Sequence, residues 1–129
     1  MAVRSFQNQS FHDTVIETLK EIYNHRKETK EVYVNPGQEK NAALRGIYPD
    51  VIVKTQTGYL IFEVETYDSV NDNESNEWSN ISTLGTFYLV IPDSSQEDAT
   101  KLLARHLLKK VVIITYKLSE SKLVFSKLP

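Results

Sequence analysis

The stretch Y-P-D-V-I-V-K-T-Q-T-G-Y-L-I-F-E-V-E-T, Tyr48 to Thr66, decides how the chain is read. β-Branched and aromatic residues lie on either side of Gly58 and read as two strands joined by a turn. Val51, Ile52 and Val53 form the first, and Tyr59 through Thr66 form the second, apolar on both sides in the manner of a central strand covered on both faces. Asp50, Glu63 and Glu65 are set into this apolar background. An unpaired buried carboxylate costs on the order of several kcal/mol, so such strands carry acids for a reason, and a bound cation is one. Residues two apart on a strand face the same way, which puts Glu63 and Glu65 on one side and Phe62 and Val64 on the other. Counting outward from a turn at Gln56 to Gly58, Asp50 comes opposite the neighbourhood of Glu63 and Glu65. Three converging carboxylates suit a hard cation, Mg²⁺ or Mn²⁺ held through carboxylates and water. Without it their repulsion raises at least one proton affinity.

Working outward, Ser10 and Asp13 have the S-x-x-D form of a capping box, and Phe11, Val15, Leu19 and Ile22 recur at helical spacing. A first helix is expected from about Phe11 to Lys27, with His12 on its inner face and Glu17 and Glu21 on the outer. Glu31 to Asn35 alternates as a short strand before the breaker Asn35-Pro36-Gly37, and Gln38 to Arg45 reads as a loop. After the hairpin, Tyr67 to Asn76 turns polar and acidic, and Asp68, Asp72 and Glu74 read as a flexible acidic loop beside the site. Trp78, Ile81 and Leu84 then mark a short second helix ended by Gly85, with Trp78 as core packing. Phe87 to Ile91 is a strand stopped by Pro92. Ser94 and Glu97 open a third helix whose inner face holds Ala99, Leu102, Leu103 and Leu107, with His106 in a structural role. Lys101, Arg105 and Lys109 read as its solvated outer ridge. Val111 to Tyr116 and Lys122 to Leu128 are strands paired across a turn at Ser119 to Ser121. The order αβββαβαββ demands an α/β (mixed α+β) fold, a central mixed β-sheet flanked by helices on both faces.

With the hairpin and the element order established, the residues resemble the restriction-endonuclease-like nucleases. Pro49-Asp50, followed thirteen positions later by Glu63-Val64-Glu65, looks like their P-D…(D/E)-x-K signature, and residues 10 to 91 follow their core of a helix, three strands, a helix and a strand. In that family the Asp and the first later acid bind the metal while the lysine helps activate water. The resemblance therefore implies that Asp50 and Glu63 are metal ligands for Mg²⁺ or Mn²⁺, and that Asp50, Glu63 and Glu65 are the catalytic set. Glu65 stands where the lysine is expected and would orient or deprotonate the water. Some members carry Glu there and remain active; others have lost catalysis. The implied function is a metal-dependent nuclease hydrolysing phosphodiesters, with DNA preferred to RNA as partner. The alternative is a catalytically inactive nuclease-fold module that binds nucleic acid or protein. Lys54 lies about 13 Å along the strand from Asp50, too far for the same water, whereas Lys40 and Arg45 lie on a loop that can swing in. His12 is the candidate site-facing polar residue on the first helix.

Composition bounds these readings. With 129 residues, 40% of them hydrophobic, the chain is expected to form a single domain over 1–129. A formal net charge of −2 excludes a broadly basic nucleic-acid surface, so any such contact is local. The absence of cysteine excludes disulfides, thiolate catalysis and cysteine-ligated zinc. Residues 1 to 9 lack the apolar run of a signal peptide and no stretch has the length of a membrane span, from which a cytoplasmic protein without membrane contact is expected. With only 4 glycines and no phosphate-cradling or serine-hydrolase motif, nucleotide-loop and serine-nucleophile enzymes are disfavoured. A homodimer is expected if both strands of a duplex are cut, because that takes two sites.

Overall fold

The computed structural model describes residues 4–37 and 39–129. Met1 to Val3 and Gln38, the first residue of the expected loop, lie outside the described residues. Along the chain run α1 (Phe6–Asn24), β1 (Thr29–Val34), β2 (Val51–Thr55), β3 (Tyr59–Val64), α2 (Asp72–Ser82), β4 (Phe87–Pro92), α3 (Gln96–Arg105), β5 (Val111–Ser119) and β6 (Lys122–Phe125). The strands form one six-stranded sheet in sequence order. β1, β2 and β3 pair antiparallel, β3, β4 and β5 parallel, and β5 with β6 antiparallel. This is the mixed sheet flanked by helices that the element order required.

The alternation along β3 sorts the core. Phe62 and Val64 join Val51, Val53, Val90, Ile114 and Tyr116 against Val15, Ile16, Leu19 and Tyr23 of α1. Ile61 joins Leu89 and Ile91 on the other face, under Trp78 and Ile81 of α2 and Ala99, Leu102 and Leu103 of α3. β3 is thus covered on both sides, as its unbroken apolar run demands. The parallel connections β3–α2–β4 and β4–α3–β5 leave the carboxyl end of β3 beside the start of α2, the place where open α/β sheets collect ligands.

Several boundaries differ from the sequence reading. α1 begins at Phe6, because Ser5 is the cap and its Oγ accepts from the Asn8 amide at 3.2 Å. Ser10 therefore lies inside the helix, and Asp13 is freed for tertiary contacts. α1 ends at Asn24, before Lys27. α2 begins at Asp72, because Asn71 caps it through a 2.9 Å bond to the Glu74 amide. Asp72 and Glu74 are consequently first-turn helical residues, and Glu74 is buried. α3 stops at Arg105; Leu107 has a left-handed φ of 55° and is exposed, not part of the inner face. The expected basic ridge is broken at that point, and its remaining members pair with acids, Lys101 with Glu97 and Arg105 with Asp72. His106 caps α3 and reaches Asp72 at 3.2 Å, which ties the end of α3 to the start of α2. Glu120 and Ser121, both left-handed, form the tight turn between β5 and β6.

Candidate functional site

The β2–β3 register, with Val51 opposite Phe62, sets Asp50 opposite Glu63 at the end of the hairpin. The Asp50 amide donates to Glu63 Oε1 at 3.1 Å, and the Val64 amide donates to Asp50 Oδ2 at 2.8 Å. His12 on α1 reaches the same Asp50 oxygen with Nε2 at 3.1 Å, while its Nδ1 lies 3.0 Å from Asp13 Oδ1. Asp13 in turn accepts from the Gly37 amide at 3.0 Å. Gly37, at a φ of 58°, adopts the left-handed backbone that this approach requires. One chain of contacts therefore bolts α1 and the loop after β1 to the hairpin end. Burial lowers the His12 proton affinity, but the Asp50 charge and hydrogen bond raise it, and the net shift is upward. A ring held between two carboxylates favours the imidazolium, which alone donates from both nitrogens.

Glu65, two residues beyond Glu63 on the same side, is fully buried. Its Oε1 accepts from Arg4 Nη2 at 2.7 Å and its Oε2 from the Trp78 indole at 2.7 Å. Its backbone is fixed as well, the amide donating to the Val90 carbonyl at 2.9 Å and the carbonyl accepting from the Tyr116 hydroxyl at 2.8 Å. Arg4 also donates to Thr66 Oγ1, the Val64 carbonyl and Ser69 Oγ. Glu65 is thus the best anchored acid of the set.

Glu63, Glu65 and Glu74 each offer an oxygen within 4.8 Å of the others, and all three are buried. A hard-donor cluster of this kind can hold a divalent cation. Burial, then the charges of Asp50 and Glu65, push Glu63 well above the usual carboxylate range. Burial, then the Glu74 charge, push Glu65 up to about 8, against the downward pull of Trp78 and Arg4. Burial raises Glu74 too. The crevice in front of the cluster has a volume of about 30 Å³ and is lined by Arg4, His12, Asp50, Glu63, Glu74 and Glu77 among others. That is room for a single ion or a water molecule. Glu65 does not line this crevice. Beside it opens a larger cavity of about 370 Å³, which shares Glu63, Glu77 and Tyr48 with the crevice and adds Lys40.

The structure therefore sets the Asp50 amide on the Glu63 carboxylate, brings both residues to one crevice, groups Glu65 with Glu63 and Glu74 and not with Asp50, and places His12 on Asp50. Arg45 lines neither space. Glu74 and Arg4 are among the site residues that escaped the sequence reading, as is Glu77. Glu74 had a signal, since Asn71-x-x-Glu74 is itself a helix-start pattern and places Glu74, Trp78 and Ile81 on one face at i, i+4 and i+7. Arg4 had none, being about 60 residues from the acids it meets.

No protein-family model matches the chain, and no curated protein sequence matches it. Among solved structures, SfsA of Pyrococcus furiosus in complex with Ca²⁺ is similar over 92% of this chain, with a TM-score of 0.46 and 13% identity. This chain spans about three fifths of that one, 61% of its length. The likeness is a distant one of fold. Among the described residues, no helix is long and apolar enough to cross a membrane.

Proposed function

We propose that the protein is a metal-dependent phosphodiesterase of the nuclease type, in which Asp50 and Glu63 hold Mg²⁺ or Mn²⁺. The observation that supports this reading is that Asp50 and Glu63, joined through the Asp50 amide at the hairpin end, line one crevice of single-ion size together with Glu74. The cation would polarise the scissile phosphate and lower the pKa of a bound water. Around it the chain's own groups divide the work. The Val64 amide and His12 fix the orientation of the Asp50 carboxylate, as partners behind metal ligands generally do. Glu74 offers a further oxygen from the first turn of α2. Glu65, with one hydrogen bond on each oxygen, retains a lone pair on each and would be able to share the metal or its water.

The test pairs binding with turnover: Mn²⁺ and Mg²⁺ titrations and cleavage of DNA and RNA, for the wild type and for Glu63→Ala. The expected result is cleavage that requires the metal and falls by at least about 100-fold in Glu63→Ala, the scale set by removing one transition-state contact. Cleavage that survives the substitution unchanged would reject the assignment.

One observation favours a second reading, that of a non-catalytic nuclease-fold module. Glu65 stands at the position of the catalytic lysine in the motif, and both of its oxygens are already engaged by Arg4 and Trp78. Metal binding and oligonucleotide binding without turnover would establish that reading; metal-dependent turnover by the isolated chain would sink it.

A further inference from the structure

We propose that the cavity between α2 and the loop joining β1 to β2 is a base pocket, which receives an unpaired nucleobase of a single-stranded polynucleotide while the adjoining phosphate lies over the acidic crevice. This rests on the metal-site reading for the position of the phosphate, and on the cavity itself for the base. The cavity holds about 370 Å³, within the range of about 300–1,000 Å³ typical of small-molecule sites. It is contiguous with the acids, since Glu63 and Tyr48 border both spaces. Its apolar walls are Ile47 and Ile81, Gly46 adds no side chain, and Asn80 and Thr83 supply hydrogen-bonding groups.

Tyr48 gives the cavity its chemistry. The residue is 40% exposed, although the neighbouring Pro49 and Val51 are buried. Lys40 carries its ammonium 5.7 Å from the centre of the Tyr48 ring. An exposed aromatic ring with a cation over it matches a nucleotide, whose base stacks on the ring while its phosphate meets the charge. The loop that presents both residues is built in advance. The buried Asn35 donates to the carbonyls of Ala42 and Pro49 at 2.8 and 2.6 Å and accepts from the amides of Asn41 and Ala42, each at 2.8 Å. Leu44 and Ile47 close it with a two-way backbone bridge. A base can stack on this ring only when it has left its own stack, which selects single strands, loops or flipped nucleotides over intact duplex.

The experiment measures fluorescence anisotropy of a labelled single-stranded oligodeoxynucleotide, of the same strand carrying abasic sites, and of its duplex, in EDTA and in Ca²⁺. Mn²⁺ binding is followed separately by calorimetry. The proteins are the wild type, Tyr48→Ala and Tyr48→Phe. Wild type is expected to prefer the single strand to the duplex. Tyr48→Ala and the abasic strand should each weaken binding by about tenfold, the scale of one lost base stack. Tyr48→Phe should retain wild-type affinity, and Tyr48→Ala should bind Mn²⁺ as the wild type does. Base-dependent binding that persists in a protein unable to bind Mn²⁺ upholds the pocket and removes the metal reading. Binding indifferent to Tyr48→Ala and to abasic sites, with Mn²⁺ binding intact, overturns the pocket and leaves the metal reading standing.

Discussion

Glu65 and Arg4 show how a single residue can be charged by its type and yet committed by its surroundings. The Arg4 side chain is 5% exposed and the Glu65 side chain 0% exposed, so their 2.7 Å bridge is dry. Breaking a buried pair leaves one charge without its partner and costs about 3–5 kcal/mol. Glu65 has an escape, because burial already raises its proton affinity to about 8 and loss of Arg4 raises it further. Arg4→Ala is therefore expected to destabilise the fold more at pH 8, where part of Glu65 is ionised and uses the counter-charge, than at pH 5, where Glu65 holds a proton and needs none. Urea unfolding at the two pH values measures both, and Arg4→Ala combined with Glu65→Gln should recover much of the loss at pH 8. Equal losses at both pH values would mean that Arg4 acts by packing alone.

At the level of elements, the end of β3 and the first turn of α2 make the site together. Asn71 caps α2 through the Glu74 amide, so the cap fixes the residue that carries a carboxylate into the crevice. Asn71→Ala removes that acceptor and should cost about 1 kcal/mol in thermal or urea unfolding. It should also weaken Mn²⁺ binding several-fold, because Glu74 then samples a frayed turn; unchanged Mn²⁺ affinity would take Glu74 out of the site. The Arg105 and His106 contacts to Asp72 are solvent-exposed and contribute little to holding that turn. The hairpin was legible in advance because β-branched runs around Gly58 specify both strand and register, and register alone brings Asp50 to Glu63. The inner face of α1 was legible for the same reason, its helical period placing His12 inside and Glu17 outside. The start of α1 was not, because Ser5 and Ser10 compete as caps and only packing chooses between them. The start of α2 did carry a signal in Asn71-x-x-Glu74, but one set in a run of acids and asparagines that reads as loop until the burial of Trp78 is known. Arg4 was illegible in principle, since its partner is specified by tertiary structure alone.

Across the whole molecule, the carboxylates and His12 couple stability to pH in a direction opposite to that of ordinary surface salt bridges. Glu63, Glu65 and Glu74 are all raised from an ordinary value of 4.5, Glu65 to about 8, and His12 is raised from 6.5. A carboxyl raised on folding binds more protons in the native than in the unfolded state between those values, so stability falls as pH rises through that window. His12 acts in the same sense: its contribution is complete below its unfolded value and is lost as pH rises through the folded one. Asp68 and Asp72, lowered from 3.8, act oppositely, their contribution being lost only as pH falls below that value. In EDTA the thermal midpoint is therefore expected to drop between pH 5 and pH 8 by at least about 5 °C, the shift of roughly 1 kcal/mol in a chain of this size. A divalent cation bound by these acids would supply a counter-charge and compete with protons for the same oxygens. The stabilisation by millimolar Mn²⁺ should accordingly be small at pH 5 and grow toward pH 8, as binding to the native state alone requires. Differential scanning calorimetry over this range, with and without Mn²⁺, reads both trends. A midpoint that rises with pH in EDTA would show that the acids are ionised and compensated without metal. A Mn²⁺ increment independent of pH would place the ion on groups other than Glu63, Glu65 and Glu74.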